Sequence, residues 1–190
     1  LLYRVESCAV RISRLRADGA LEERSRSWMF YRDPDSGTYL EELRNPYTGA
    51  TVPVPTFRGG VSGSVTTTQG PQFRATFPME STVLGRPMLL DWRIVGDHAW
   101  VSRHAFTRWK EAATGAYKTE MTMDSWTCRV ADLLDEKLSA VPAAHSWMSQ
   151  TEWQSWLGMR GRPGAMLWRI DGTNFGSVAD LPPEFVERSH

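Results

Sequence analysis

Turn signals punctuate this chain at strand-length intervals, and that spacing is what most limits its fold. Asp33-Pro34-Asp35-Ser36-Gly37 and Asn45-Pro46-Tyr47-Thr48-Gly49 each join a turn-starting Asp-Pro or Asn-Pro to a glycine able to close the turn at positive φ. Gly96-Asp97 is a two-residue hairpin signal, Ala17-Asp18-Gly19 a further turn, and Ala112-Ala113-Thr114-Gly115-Ala116 a longer hairpin loop. Between these signals, residues 26–32, 38–44 and 50–56 read as three short strands of a β-meander, and 86–94, 98–110 and 117–129 as three long antiparallel strands. A further strand lies within 1–16, around Val5, Ala9, Val10 and Ile12, and a last one at 165–170 ends at Asp171-Gly172. The Gly-, Ser- and Thr-rich stretch 58–72 predicts a mobile loop or an irregular edge strand.

Helical signals come late. Residues 131–138 have helical spacing, Ser149-Gln150-Thr151-Glu152 is a capping-box pattern ahead of Trp153, Trp156 and Leu157, and Pro182-Pro183 precedes Phe185 and Val186. The expected fold is therefore mainly β (α+β): a curled antiparallel sheet or β-barrel with a few short helices in the C-terminal third, in one domain over 1–190. A chain of 190 residues can bury roughly two thirds of its unfolded surface, enough for a core without disulfide staples.

Lys plus Arg number 22 and Asp plus Glu number 22, so no net field draws the protein to nucleic acid or anionic lipid. Apolar runs fall far short of the ~18 residues of a membrane span. The chain begins at Leu1 rather than Met; the expected location is cytoplasmic, or periplasmic if a leader was removed. Cys8 and Cys128 are too few and too distant for a disulfide framework, and no metal-ligand spacing, phosphate loop or nucleophile elbow is present, so no metal or cofactor is called for. Nine Trp, five Tyr and seven Phe suit either a core or the lining of a pocket for a flat ligand.

Register decides which side chains meet. A two-residue turn at Gly96-Asp97 sets Arg93 opposite Trp100 and Asp91 opposite Ser102. A second loop symmetric about Thr114 would set Phe106 opposite Thr122 and His104 opposite Asp124. One face then carries Asp91, Arg93, His98, Trp100, Ser102, His104, Phe106, Asp124 and Trp126, and the other carries Trp92, Ile94, Ala99, Val101, Ala105, Met121 and Met123 as core. An acid beside an imidazole fixes its tautomer and stabilises the imidazolium, so His104 steered by Asp124 is the expected proton carrier. The opposing reading is an exposed cross-strand pair worth ~0.2–1 kcal/mol. His98 reads as a turn-flanking surface residue, His145 as a loop residue and His190 as part of the tail. Trp153 and Trp156, three apart on the expected helix, would share a face that lids the barrel's open end.

A resemblance runs through the same residues. Tyr31-x-Asp33-Pro34 with Gly37, Asn45-Pro46-x-Thr48-Gly49-x-x-Val52, Trp100-Val101, Ala131-Asp132-Leu133-Leu134-Asp135, Val141-Pro142-Ala143, Trp153-x-x-Trp156-x-x-Met159, and Arg162-Pro163-Gly164 through Leu167-Trp168-Arg169 together resemble DUF1838, a family of uncharacterised, mainly bacterial proteins. The resemblance implies no activity, and it implies export for some members. Asp33, Asn45, Trp126 and Arg169 fit the family pattern better than the histidines do. Thr56 to Val61 departs from the stretch that follows the Asn-Pro turn in relatives.

The functional expectation is a cofactor-independent lyase, isomerase or cyclase that binds a small hydrophobic, aromatic or polycyclic compound. His104 and Asp124 would move the proton, Asp91 or Arg93 would stabilise developing charge, and Tyr31, Trp100, Phe106, Trp126, Trp153 and Trp156 would hold the ring system. The alternative is a non-catalytic carrier using the same cavity. An exposed Trp cluster would favour a homodimer.

Overall fold

The computed structural model describes residues 1–58, 62–69, 72–76, 81–83, 88–110, 115–175 and 177–189, and in them the turn punctuation becomes a run of antiparallel hairpins. β1 (Arg4–Leu15) and β2 (Leu21–Arg32) pair along their whole length around Gly19, whose φ of 78° suits glycine. β3 (Glu42–Arg44) and β4 (Thr51–Pro53) form a small sheet of their own, and β5 (Phe57–Arg58) adds to β2. The expected meander is therefore divided: its first strand belongs to β2, and the other two stand apart, tied back by an Arg32–Tyr39 bridge.

β6 (Ser62–Gln69) and β7 (Gln72–Thr76) continue the large sheet. β6 pairs with β2 on one side and β7 on the other, so the described part of the Gly-Ser-Thr stretch is an inner strand and not an edge. Arg58 and Gln72 at its ends belong to β5 and β7, and residues 59–61 and 70–71 lie outside the described residues. β8 (Ser81–Val83) pairs with β10, and then come β9 (Met88–Val95), β10 (His98–Lys110), β11 (Tyr117–Arg129), β12 (Ala144–Thr151) and β13 (Met166–Thr173). The order across the sheet is β1-β2-β6-β7-β9-β10-β11-β12-β13.

The fold is mainly β, but the sheet is not a closed barrel, because β1 and β13 are edges that do not pair with each other. It bends far enough for Tyr3 at one edge to meet Trp168 at the other, ring centroids 5.7 Å apart. Side chains from the segment after β12 pack into the space where a closing ladder would run. Trp156 lies 5.8 Å from Tyr3 and 5.4 Å from Tyr31, and Leu157 and Met159 are buried beside Met166 and Trp168. These residues form the core on the sheet's inner face. A fully buried leucine such as Leu157 contributes about 1.5–3 kcal/mol.

Helices are fewer and shorter than the sequence suggests. α1 (Val130–Leu133) is one turn followed by bends, and α2 (Pro183–Ser189) follows the proline pair as expected. α2 seats Phe185 edge-on against Phe30 at 5.1 Å, on the outer face of β2. The capping-box stretch is not a helix start: Ser149 to Thr151 complete β12, and Trp156 sits in a single 3-10 turn, Ser155–Leu157.

Candidate active site on the inner face of the sheet

The first hairpin has the expected register, with Val95 opposite His98, Arg93 opposite Trp100 and Asp91 opposite Ser102. The second is offset by one residue. Lys110 pairs with Tyr117, so Arg103 opposes Asp124, His104 opposes Met123 and Phe106 opposes Met121. Because neighbouring residues point to opposite faces, this offset moves Asp124 and Trp126 away from His104. The His104–Asp124 pair does not form. His104, Phe106, Met121 and Met123 lie together on the exposed outer face, so Met121 and Met123 are not core; Trp92 and Ile94 are exposed as well, whereas Ala99 is buried as expected. Asp91 and Arg93 are exposed, Arg93 stands 5.8 Å over the Trp100 ring, and His98 Nδ1 lies 2.7 Å from Asp97 Oδ1 beside its turn.

The inner face is built in rows across neighbouring strands. One row is Trp92, Val101, Trp126, His145 and Gly172; the next along the strands is Arg103, Asp124, Trp147 and Ile170; a third is Ala105, Thr122, Ser149 and Trp168. β12 shows the alternation plainly: His145, Trp147, Ser149 and Thr151 are shielded, and Ala144, Ser146, Met148 and Gln150 are exposed. His145 thus lies in a strand and not in a loop.

Asp124 sits at the centre of this surface, 5% exposed. Its Oδ2 accepts two hydrogen bonds from Arg103, from Nε at 3.0 Å and from Nη2 at 2.7 Å. Its Oδ1 lies 3.2 Å from His145 Nε2, a diagonal cross-strand contact. A buried carboxylate needs such partners, since an unpaired one would cost several kcal/mol. The imidazole is stacked on Trp126, centroids 4.9 Å apart and planes 6° from parallel, and the Arg103 guanidinium lies 5.4 Å over the same indole. Nδ1 of His145 makes no hydrogen bond among the described residues.

Farther along β11, Glu120 accepts a 2.6 Å bond from the Ser149 hydroxyl. Burial pushes its carboxyl above the ordinary value of 4.5, the Ser149 bond opposes that shift, and the Asp124 charge adds to it. Four residues of strand separate the two acids, roughly 13 Å of backbone at ~3.3 Å per residue.

Tyr31 is core: it is 4% exposed, its hydroxyl donates to Gln154 at 3.2 Å, and burial pushes its pKa up to about 12. Trp156 bonds the same glutamine through Nε1 and packs on Tyr31. Trp153 donates to the Pro163 carbonyl at 3.2 Å and packs on Tyr47 at 5.6 Å. The two indoles close one end of the core instead of covering a barrel mouth. Asp33 and Asn45 cap their turns. Asp33 accepts from the Asp35 and Ser36 amides at 3.0 and 2.7 Å, and the Ser36 amide foremost among its hydrogen bonds holds its carboxyl below the usual range. Arg169 pairs with Asp171 at 3.2 Å on exposed surface.

A second polar cluster lies on the outer face of β2, beside a shallow cleft lined by Phe30, Leu40, Val54 and Arg188. Tyr39 is held between the Arg32 and Arg188 guanidinium groups, 3.7 and 4.0 Å from its ring, and its hydroxyl donates to Glu6. Burial and that bond push its pKa up to about 12. Arg32 also bonds Glu6 at 2.8 Å and the Gly37 carbonyl at 2.8 Å, so this cluster chiefly ties the turn and α2 to the sheet. Among the described residues, no three His, Cys, Asp or Glu side chains are grouped to hold a metal ion, and no helix is long and apolar enough to cross a membrane.

A family model described as a protein of unknown function, DUF1838, matches residues 2–189. No curated protein and no solved structure matches the chain.

Proposed function

We propose that this chain, which belongs to the DUF1838 family, binds a small, flat hydrophobic compound on the inner face of its sheet and performs cofactor-independent acid/base chemistry there, of the lyase or isomerase type. His145 takes the role that sequence spacing assigned to His104. The observation that carries this reading is the 3.2 Å contact between His145 Nε2 and Asp124 Oδ1. An imidazole donating Nε2–H to a carboxylate presents the Nδ1 lone pair as base, and the buried charge stabilises the imidazolium that forms when the proton is taken. Arg103 holds the other carboxylate oxygen and fixes its orientation. Its guanidinium also supplies the positive charge, expected earlier of Arg93, for an anion developing on the substrate. Trp126 and Trp147, which flank His145 and Asp124, form the apolar wall that orients a ring system.

The carrier reading has one observation in its favour. Two guanidinium bonds already satisfy Asp124, which reduces what the carboxylate can give an imidazolium. The two readings separate in one experiment on a library of aromatic hydroxy and keto compounds. Wild-type protein is expected to convert at least one of them, by isomerisation or by loss of water. His145→Asn and Asp124→Asn are expected to lower the rate by about 10²-fold or more and still bind the compound. Binding without conversion by the wild type would establish a carrier.

A further inference from the structure

We infer that the face of the His145 imidazole turned away from Trp126 is a stacking subsite for a planar aromatic or heteroaromatic ring, seated over Gly172. Trp126 and His145 are direct cross-strand partners on β11 and β12, and their rings are 6° from parallel with centroids 4.9 Å apart. That separation matches the spacing of neighbouring strands, so the ring planes stand across the row and the stack runs along it. The next member of the row on β13 is Gly172, the direct partner of His145. A Cβ built there meets no atom of the described residues within 4 Å. The stack of two rings therefore ends at a position the described residues leave open.

Neither ordinary reason for a glycine applies at this position. Gly19, Gly37, Gly49, Gly96, Gly115, Gly158, Gly161 and Gly164 all have positive φ; Gly172 does not, and no described residue crowds it. The Asp171-Gly172 pair, which reads in sequence as the turn that ends the strand, is instead inside β13. Glycine within a strand weakens it and often marks a close approach by a ligand. On the same face, Ile170 and its partner Trp147 wall the position on one side, and β13 is an edge strand, so a ring can enter from solvent. The subsite selects flatness: a planar ring gains a full face of imidazole, whereas a puckered ring of equal volume does not.

This subsite deepens the proposed function and rests on it only for the identity of the ligand as substrate. The test uses indole, quinoline and 2-naphthol as planar probes and cyclohexanol as a non-planar control, measured by saturation-transfer NMR and calorimetry on the full chain. The planar probes are expected to bind the wild type and cyclohexanol not to. Gly172→Val, which places a branched side chain in the open position, is expected to weaken planar binding by about tenfold or more while the melting midpoint holds or rises. Gly172→Ala is expected to show the same effect in smaller measure and serves if the valine variant does not fold. The inference is overturned if no planar probe binds the wild type, if cyclohexanol binds equally well, or if both variants bind as the wild type does. Turnover lost in His145→Asn with probe binding unchanged by the glycine variants would sink the subsite alone. Planar binding lost in Gly172→Val with turnover intact in His145→Asn would sink the acid/base reading alone.

Discussion

Asn45 uses both ends of its amide. Oδ1 accepts from the Tyr47 amide at 2.8 Å and caps its own turn, and Nδ2 donates to the Leu157 carbonyl at 2.7 Å in the core. Replacement by Ala leaves a buried carbonyl without its donor and the turn without its cap, a loss of about 2–3 kcal/mol. A urea midpoint lowered to match is expected of Asn45→Ala, and an unchanged midpoint would refute the anchoring role. Glu120 gives a pH-dependent expectation. Its pKa is raised by burial above 4.5, so the folded state favours the neutral acid. The contribution is full below 4.5 and is lost as pH rises through the raised value. Glu120→Gln, neutral throughout, is expected to flatten that part of the stability profile, and parallel profiles for the two proteins would contradict it. At this scale the turn caps were legible, because an Asx side chain bonds backbone two or three residues on, within its own segment. The buried half of Asn45 was not, since its partner lies far along the chain.

The β10–β11 hairpin shows how one residue of register changes a site. The Gly96-Asp97 turn left one arrangement, and its predicted pairs form. The longer loop did not: symmetry about Thr114 makes an odd loop, whereas pairing Lys110 with Tyr117 makes an even one. Every side chain of β11 then changes face, which is why His104 and Asp124 separate. His145 was hidden for a related reason, because the Ala-His-Ser-Trp-Met-Ser-Gln-Thr stretch of β12 has His, Ser and Thr facing inward and Met outward, so polarity does not alternate with burial. The register itself can be trapped. Cysteines placed at the paired Ser102 and Ser125 are expected to form a disulfide on mild oxidation, within the ~4.5–5.5 Å that separates cross-strand Cα atoms. A pair at Ser102 and Trp126 is expected to stay reduced. The reverse result would restore the register that puts His104 beside Asp124.

Over the whole molecule, the sheet is held in its bend by side chains and not by a closing ladder. The barrel expectation arose because turn spacing counts strands but carries no information on whether the first and last pair. Here Tyr3, Met166 and Trp168 join the two edges through the segment that carries Trp156 and Leu157. Trp168 is 6% exposed and donates to Thr151 at 3.1 Å. Trp168→Ala is expected to cost about 3–5 kcal/mol and to loosen both edges together, seen as faster amide exchange in β1 as well as β13. Faster exchange in β13 alone would show that the edges are not coupled through this core. The central claim concerns one imidazole: His145 donates a hydrogen bond from Nε2–H to Asp124 and keeps the Nδ1 lone pair as the base. Long-range ¹⁵N–¹H NMR of the neutral imidazole tests it most directly. The account predicts the Nε2–H tautomer in the wild type, with nitrogen shifts that move in Asp124→Asn. An Nδ1–H tautomer, or shifts indifferent to that substitution, would contradict it.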